Sequence, residues 1–135
     1  SGRCGKSFHP GEDWNDNNTA LDFGADSNDT GDPVYATSDG VIDDTVLTTP
    51  RPDWGFPILI RHDGFFVLPN GQPIGTIWSQ YGHLATVSNN PRTATRWKKG
   101  DVVYRGEQLG TIGDYPNGSG TNFHLHLERR CAKPS

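Results

Sequence analysis

The sequence predicts an all-β fold of short strands and long loops, with little helix, on three observations. Seventeen glycines and ten prolines among 135 residues punctuate short runs of Val, Ile, Leu and aromatic residues, the pattern of a turn-rich β protein. No segment carries apolar residues at helical period over the length that a bundle helix needs. The stretch from Thr121 to Glu128, T-N-F-H-L-H-L-E, alternates polar with apolar residues. As a strand it places His124, His126 and Glu128 on one side and Phe123, Leu125 and Leu127 on the other.

The elements follow in order. Residues 1–30 are polar, rich in Asn, Asp and Gly, with scattered apolar positions such as Phe8, Trp14, Leu21 and Phe23; they read as loop with one short strand. From Asp32 the pattern becomes short strands separated by turns: Pro33 to Thr37, Gly40 to Val46, a loop at Thr49 to Gly55, then Pro57 to Arg61. His62-Asp63-Gly64 reads as a turn without chemistry, and Phe65 to Leu68 as a strand. Pro69-Asn70-Gly71-Gln72-Pro73 reads as a tight turn leading to a strand from Gly75 to Leu84. Asn-Gly is a strong hairpin signal because the favoured two-residue turn needs positive φ at both central positions. The polar stretch Ala85 to Lys98, with Pro91 inside it, is the expected place for a short helical turn. Strands resume at Asp101 to Tyr104 and Gln108 to Ile112. The glycine-rich run Gly113 to Gly120 then leads into the histidine-bearing strand, and glycines there let backbone approach a ligand closely.

Length and composition bound the function. A chain of 135 residues suits one compact domain, 1–135, with a single core. The net charge of −4 comes with no basic stripe, since Arg96-Trp97-Lys98-Lys99 and Arg129-Arg130 are too short for an electrostatic footprint; no nucleic-acid partner is expected. No segment reaches the length of a membrane span, and Ser-Gly-Arg-Cys-Gly-Lys at the start lacks the apolar run of a signal peptide, which suits a mature or trimmed product. The two cysteines, Cys4 and Cys131, stand at opposite ends, and domain termini are often neighbours. A disulfide between them would stabilise by roughly 4 to 5 kcal/mol on the chain-entropy model and would point to an oxidising compartment.

The chemistry lies in the histidines. Phe8-His9-Pro10-Gly11-Glu12-Asp13-Trp14 sets His9 and Asp13 four apart. Pro10-Gly11 argues against a helix there but bends the chain, so that the two side chains can hold one ion from a turn. The strand histidines offer a third ligand, and two histidines plus one carboxylate is the catalytic arrangement for zinc, with the fourth position open. Only one of His124 and His126 is then needed as a ligand, which leaves the other near the metal as a candidate general base. The spacing alone does not separate the two. His83, in Gln80-Tyr81-Gly82-His83-Leu84, stands at a strand end where it can face the same groove.

The ordered set H-x-x-x-D, Tyr-x-His-Leu and H-x-H followed by apolar-Glu resembles the lysostaphin-type (LytM-like) zinc metallopeptidases, which cut peptide bonds in bacterial peptidoglycan. The likeness spans nearly the whole chain and includes Gly31-Asp32-Pro33-Val34-Tyr35-Ala36, Asp39-Gly40-Val41-Ile42, Lys99-Gly100-Asp101-Val102-Val103 and Gly106-Glu107-Gln108-Leu109-Gly110-Thr111-Ile112-Gly113. The resemblance implies a mainly antiparallel sheet with a groove, Zn2+ as cofactor, His9, Asp13 and His126 as its ligands, and His83 and His124 as the two catalytic histidines. It implies a secreted or envelope endopeptidase, monomeric, with a peptidoglycan peptide as its partner. Two departures stand out. The segment Asn15 to Thr30 is longer than the family pattern and adds the carboxylates Asp16, Asp22 and Asp26; Phe123 and Leu127 replace residues usual in the family but keep the apolar face.

Three other readings fit less well. An inactive zinc-binding regulator or wall-interaction module of the same fold would have lost a catalytic histidine, yet all five expected positions are filled. A cupin-like metal barrel also uses H-x-H but needs a Glu further on and a downstream motif, and the chain stops at Ser135. A wall-binding platform built on Trp14, Trp54, Trp78 and Tyr115 leaves the histidine spacing without a reason.

Overall fold

The computed structural model describes residues 20–23, 31–67, 71, 73–113, 125–130 and 133; for 20–23, 65–67, 73–74, 125–126 and 128–130 it describes the backbone alone. Among the described residues there is no helix. The strands are β1 (Ala20–Phe23), β2 (Pro33–Tyr35), β3 (Gly40–Ile42), β4 (Phe56–Val67), β5 (Pro73–Val87), β6 (Asn89–Asn90), β7 (Thr95–Arg96), β8 (Val102–Val103), β9 (Gln108–Ile112) and β10 (Leu125–Arg130). One eight-stranded sheet runs in the order β1-β10-β5-β4-β3-β8, with β9 joining β5 to β2, and β6 and β7 form a small ribbon apart. Every strand pair is antiparallel, as the sequence predicts.

The hairpin of β4 and β5 is the frame, and it is longer than its sequence suggests. His62-Asp63-Gly64, expected as a turn, lies inside β4, with His62 opposite Ile77 and Asp63 opposite Thr76. The chain does not turn there because His62 is buried and both ring nitrogens are occupied. Nδ1 lies 2.6 Å from the Asp39 carbonyl, which can only accept, so Nδ1 donates; Nε2 lies 2.8 Å from the Ser79 hydroxyl across the strands. The register slips just afterwards, between Asp63 and Phe66, where Gly64 supplies the local freedom. The helical turn expected in Ala85 to Lys98 is instead the β6–β7 ribbon. Its turn closes with the N–H groups of Thr93 and Ala94 both donating to the Asn90 carbonyl, and goes no further.

The two faces of the hairpin differ. Ile58, Ile60, Ser79 and Tyr81 are buried on one face, joined by Leu127 of β10 and by Val34, Ile42, Val103 and Leu109. Trp97 closes this core, with its indole N–H donating to the Gln108 carbonyl at 2.9 Å. The Tyr81 hydroxyl accepts the Thr37 backbone N–H at 3.0 Å, which satisfies a polar atom that burial would otherwise penalise. Each large apolar side chain withdrawn here contributes about 1.5 to 3 kcal/mol of transfer free energy. The opposite face carries Leu59, Arg61, Trp78, Gln80 and Gly82, and the segment from Asp43 to Gly55 folds over part of it. That segment is anchored by the Asp43 N–H to the Leu59 carbonyl, by Arg96 Nη2 donating to the Leu47 carbonyl, and by the His83 N–H donating to the Trp54 carbonyl, while reciprocal bonds between Arg51 and Gly55 close its own end. The covered side chain is Leu59, which is why it is buried on an otherwise polar face. No helix of the described residues is long and apolar enough to cross a membrane.

Candidate active site

The site is organised by an irregularity in β5. Along one edge β5 pairs with β10 up to Gly82, which stands opposite His126; from Leu84 onward its partner on that edge is β9, beginning with Ile112. Along the other edge, Tyr81 pairs with Ile58 and Leu84 with Phe56, so β5 spends one residue more than β4 over that step. The surplus is a β-bulge at Gly82-His83. Bulges re-aim side chains and recur beside active sites.

His83 absorbs the bulge. It adopts φ of +66°, in the left-handed region, a conformation that costs a non-glycine residue of the order of 1 kcal/mol or more and persists only where its surroundings impose it. They do so from three directions. Its N–H donates to the Trp54 carbonyl at 2.6 Å, and its own carbonyl accepts the Gly113 N–H at 3.0 Å. Its imidazole stacks on the Trp54 indole, with ring centroids 5.0 Å apart and planes 3° from parallel. The residue is 8% exposed, a catalytic candidate that is held rather than dangling. The sequence places His83 at a strand end; the structure places it inside β5, at the bulge.

Gly82 makes the arrangement possible. A Cβ there would lie 2.0 Å from Cζ3 and 2.3 Å from Cε3 of Trp54, so the indole occupies the space that a side chain would fill. Trp54 therefore covers the backbone next to His83 while stacking on its ring. In the sequence Trp54 stands out only as a member of an aromatic platform. The signal that reveals its role is Gly82 itself, since a glycine inside a strand pattern marks a bulge or a close approach.

The remaining expected residues fall as follows. His126 is in β10, between Asp22 of β1 on one side and Gly82 of β5 on the other in register, so its backbone position adjoins that of His83. Asp22, one of the carboxylates of the long N-terminal segment, thus shares a register row with His126. His9, Asp13 and His124 lie outside the described residues, as do Cys4 and Cys131 and the glycine-rich run from Asp114 to Gly120. Among the described residues no three His, Cys, Asp or Glu side chains come together as a metal site.

Charge on this face is arranged around Asp43. Its Oδ1 takes Arg61 Nη1 at 3.0 Å, and its Oδ2 accepts the Trp78 indole N–H at 2.7 Å, with Lys133 Nζ at 3.8 Å. Burial works to raise the Asp43 carboxyl, but the Trp78 hydrogen bond and the charges of Lys133, Arg61 and Lys99 outweigh it and hold it below the ordinary range. Arg61 and Trp78 are directly opposite in register, so Asp43 locks one cross-strand pair of the outer face.

An antiparallel sheet of this topology, with a bulged histidine in β5 next to the register row of His126 in β10, defines the class: the fold of peptidase catalytic domains. The chain belongs to peptidase family M23, whose model matches residues 16–134. That stretch contains His83, His124 and His126 and begins after Asp13. The chain is 26% identical to a mutant catalytic domain of the prophage-encoded M23 protein EnpA from Enterococcus faecalis, with a TM-score of 0.58, covering 96% of this chain and 79% of that one. It is 25% identical to a zinc-containing peptidase from Vibrio cholerae at a TM-score of 0.56, covering 96% of this chain and 32% of the other. The catalytic domain of the antimicrobial peptidase lysostaphin from Staphylococcus simulans shares the fold, at 24% identity and a TM-score of 0.56, over 99% of this chain and 81% of that one. No curated protein matches significantly.

Proposed function

We propose that the chain is a zinc metalloendopeptidase that hydrolyses peptide bonds of bacterial peptidoglycan, in the stem peptide or cross-bridge, outside the cytoplasm. The observation that carries the reading is the placement of His126 opposite Gly82, one residue before the clamped His83, in a chain of peptidase family M23. The donor set fits the metal: His126 with His9 and Asp13 makes two imidazoles and one carboxylate, the ligand chemistry of catalytic zinc. When bound, zinc supplies a Lewis acid that makes water nucleophilic near neutral pH and shares charge developing on the scissile carbonyl oxygen.

The chain's own residues do the rest. His124, two residues before His126, takes a proton from the attacking water and returns it to the leaving amine. His83 presents an N–H to the developing oxyanion, a contact that commonly contributes about 3 to 4 kcal/mol; its clamp by Trp54 and Gly113 removes the cost of orienting it during the reaction. The EnpA and Vibrio relatives support the peptidase chemistry, and the Vibrio peptidase contains zinc. A disulfide between Cys4 and Cys131, if formed, would accord with an extracytoplasmic location.

The test is replacement of His124 and His126 separately by alanine, with zinc content and clearing of bacterial cell walls measured for each. His124→Ala should keep zinc and lose clearing, and His126→Ala should lose both. Full clearing by the His124→Ala protein rejects the assignment, and loss of zinc from that variant exchanges the two roles. Mass spectrometry of the new amino termini from walls of different cross-bridge type identifies the bond.

A further inference from the structure

Beside the candidate active site the outer face holds a cavity of about 210 Å³. In register, Ala20, Glu128, Gln80 and Leu59 form one cross-strand row, two residues along from the row of Asp22, His126 and Gly82. Gln80 and Leu59 line the cavity, so it opens about 7 Å along the strands from the His126 row. Its floor is apolar, made by Leu47, Pro57 and Leu59; its polar lining is Asp44, Thr45, Arg51 and Gln80.

The charges of that lining are of opposite sign and are not spent on each other. Among the described residues neither Arg51 nor Asp44 forms an ion pair; the Asp44 carboxylate accepts only the neighbouring Thr45 N–H, at 2.7 Å. The backbone that carries the walls is nonetheless fixed. Arg51 is bonded at its N–H and its carbonyl to Gly55, the Leu47 carbonyl is held by Arg96, and the Asp43 N–H is tied to Leu59. A preformed wall with a guanidinium and a carboxylate over an apolar floor is complementary to a group with both charges on an aliphatic stem.

We propose that this cavity is a substrate subsite for a zwitterionic end group, an ammonium and a carboxylate together at the tip of an aliphatic side chain. The carboxylate pairs with Arg51, whose planar fork suits it, and the ammonium with Asp44. The stem lies on Leu47, Pro57 and Leu59, with the Thr45 hydroxyl and Gln80 amide completing the hydrogen bonds. The inference rests on the reading of this face as a peptidase groove, and it adds that a substrate side chain reaching two residues along the strands from the His126 row is selected by charge of both signs.

The test is binding of three capped single residues, each N-acetylated and amidated. One has the 2,6-diaminopimelyl side chain, which ends in ammonium and carboxylate; one is lysyl, with ammonium alone; one is 2-aminopimelyl, with carboxylate alone. Titration of the full chain, followed at the Gln80 side-chain amide by NMR, should give at least about tenfold tighter binding of the diaminopimelyl compound than of either other. Arg51→Gln should abolish its advantage over the lysyl compound, and Asp44→Asn its advantage over the aminopimelyl compound; both positions are exposed, and circular dichroism checks the fold. Equal affinities for the three compounds, or a preference that survives both substitutions, overturns the subsite. Because these compounds contain no bond to cut, the result stands apart from wall clearing. An inactive protein with the preference intact refutes the peptidase reading alone, and an active one without it refutes the subsite alone.

Discussion

The imidazole of His83 lies flat on the indole of Trp54, 5.0 Å between centroids and 3° between planes, while the His83 N–H donates to the carbonyl of the same tryptophan. One residue thus fixes both the backbone and the ring of a histidine whose φ is +66°. Such clamping makes sense where a ring must be aimed before the substrate arrives, since the orienting cost is then met during folding.

Trp54→Ala keeps the backbone acceptor but removes the stacking surface. An aromatic pair of this kind contributes about 1 kcal/mol beyond its area. If it is expressed in the barrier, wall clearing slows roughly fivefold, with Trp54→Phe in between. Clearing by the alanine variant at the unaltered rate would show that the stack does not serve the reaction.

Gly82→Ala sets a Cβ 2.0 Å from the Trp54 ring, so the indole must move. Overpacking of this type costs about 1 to 3 kcal/mol, and Tm should fall by about 4 °C for each kcal/mol in a domain of this size. The diagnostic is the double variant. With Trp54→Ala present the added methyl meets no ring, so the cost of Gly82→Ala should largely vanish; a cost that persists unchanged places its origin elsewhere.

His62 and His83 stand on one strand hairpin and separate by role. His62 is buried between the Asp39 carbonyl and the Ser79 hydroxyl, so His62→Ala leaves both without that partner and opens a void, costing about 3 kcal/mol. Ser79→Ala removes one hydrogen bond and costs about 1 kcal/mol. Urea midpoints should order the proteins accordingly, while wall clearing well below the transition is retained in both. Abolished clearing by a folded His62→Ala protein would contradict a structural role.

The sequence carried the all-β class because glycine and proline spacing leaves no room for helices, and it located β9 at Gln108 to Ile112 to the residue. It failed at His62-Asp63-Gly64, where turn-like composition hides a strand held by buried contacts to Asp39 and Ser79, remote in sequence. Local propensity cannot register such partners. It singled out His83 by its Tyr-x-His-Leu setting but not the clamp, because Trp54 reaches Gly82 and His83 only after the segment from Asp43 to Gly55 folds over the sheet. The cavity was hidden for the same reason. Asp44 and Arg51 look like ordinary loop charges until Leu59 and Gln80 are placed beneath them.

Acid stability follows from two carboxylates. The hydrogen bond from Arg92 holds Glu107 below its ordinary value, against burial and with help from the Tyr104 N–H and the Arg92 charge; the contact is 2.6 Å. Asp43 is lowered as well, where burial is outweighed by Trp78, Lys133, Arg61 and Lys99. A carboxyl with a lower pKa in the folded than in the unfolded chain stabilises the fold above its unfolded value, and that contribution is lost as pH falls through the folded value. The starting values are 4.5 for Glu107 and 3.8 for Asp43, so the urea midpoint should hold from neutrality to about pH 5 and decline below it. Asp43→Asn and Glu107→Gln should unfold at lower urea near pH 7, decline less steeply in acid and converge on the parent protein at the acid end. Variants that keep the parent's full acid slope would assign acid lability to other groups.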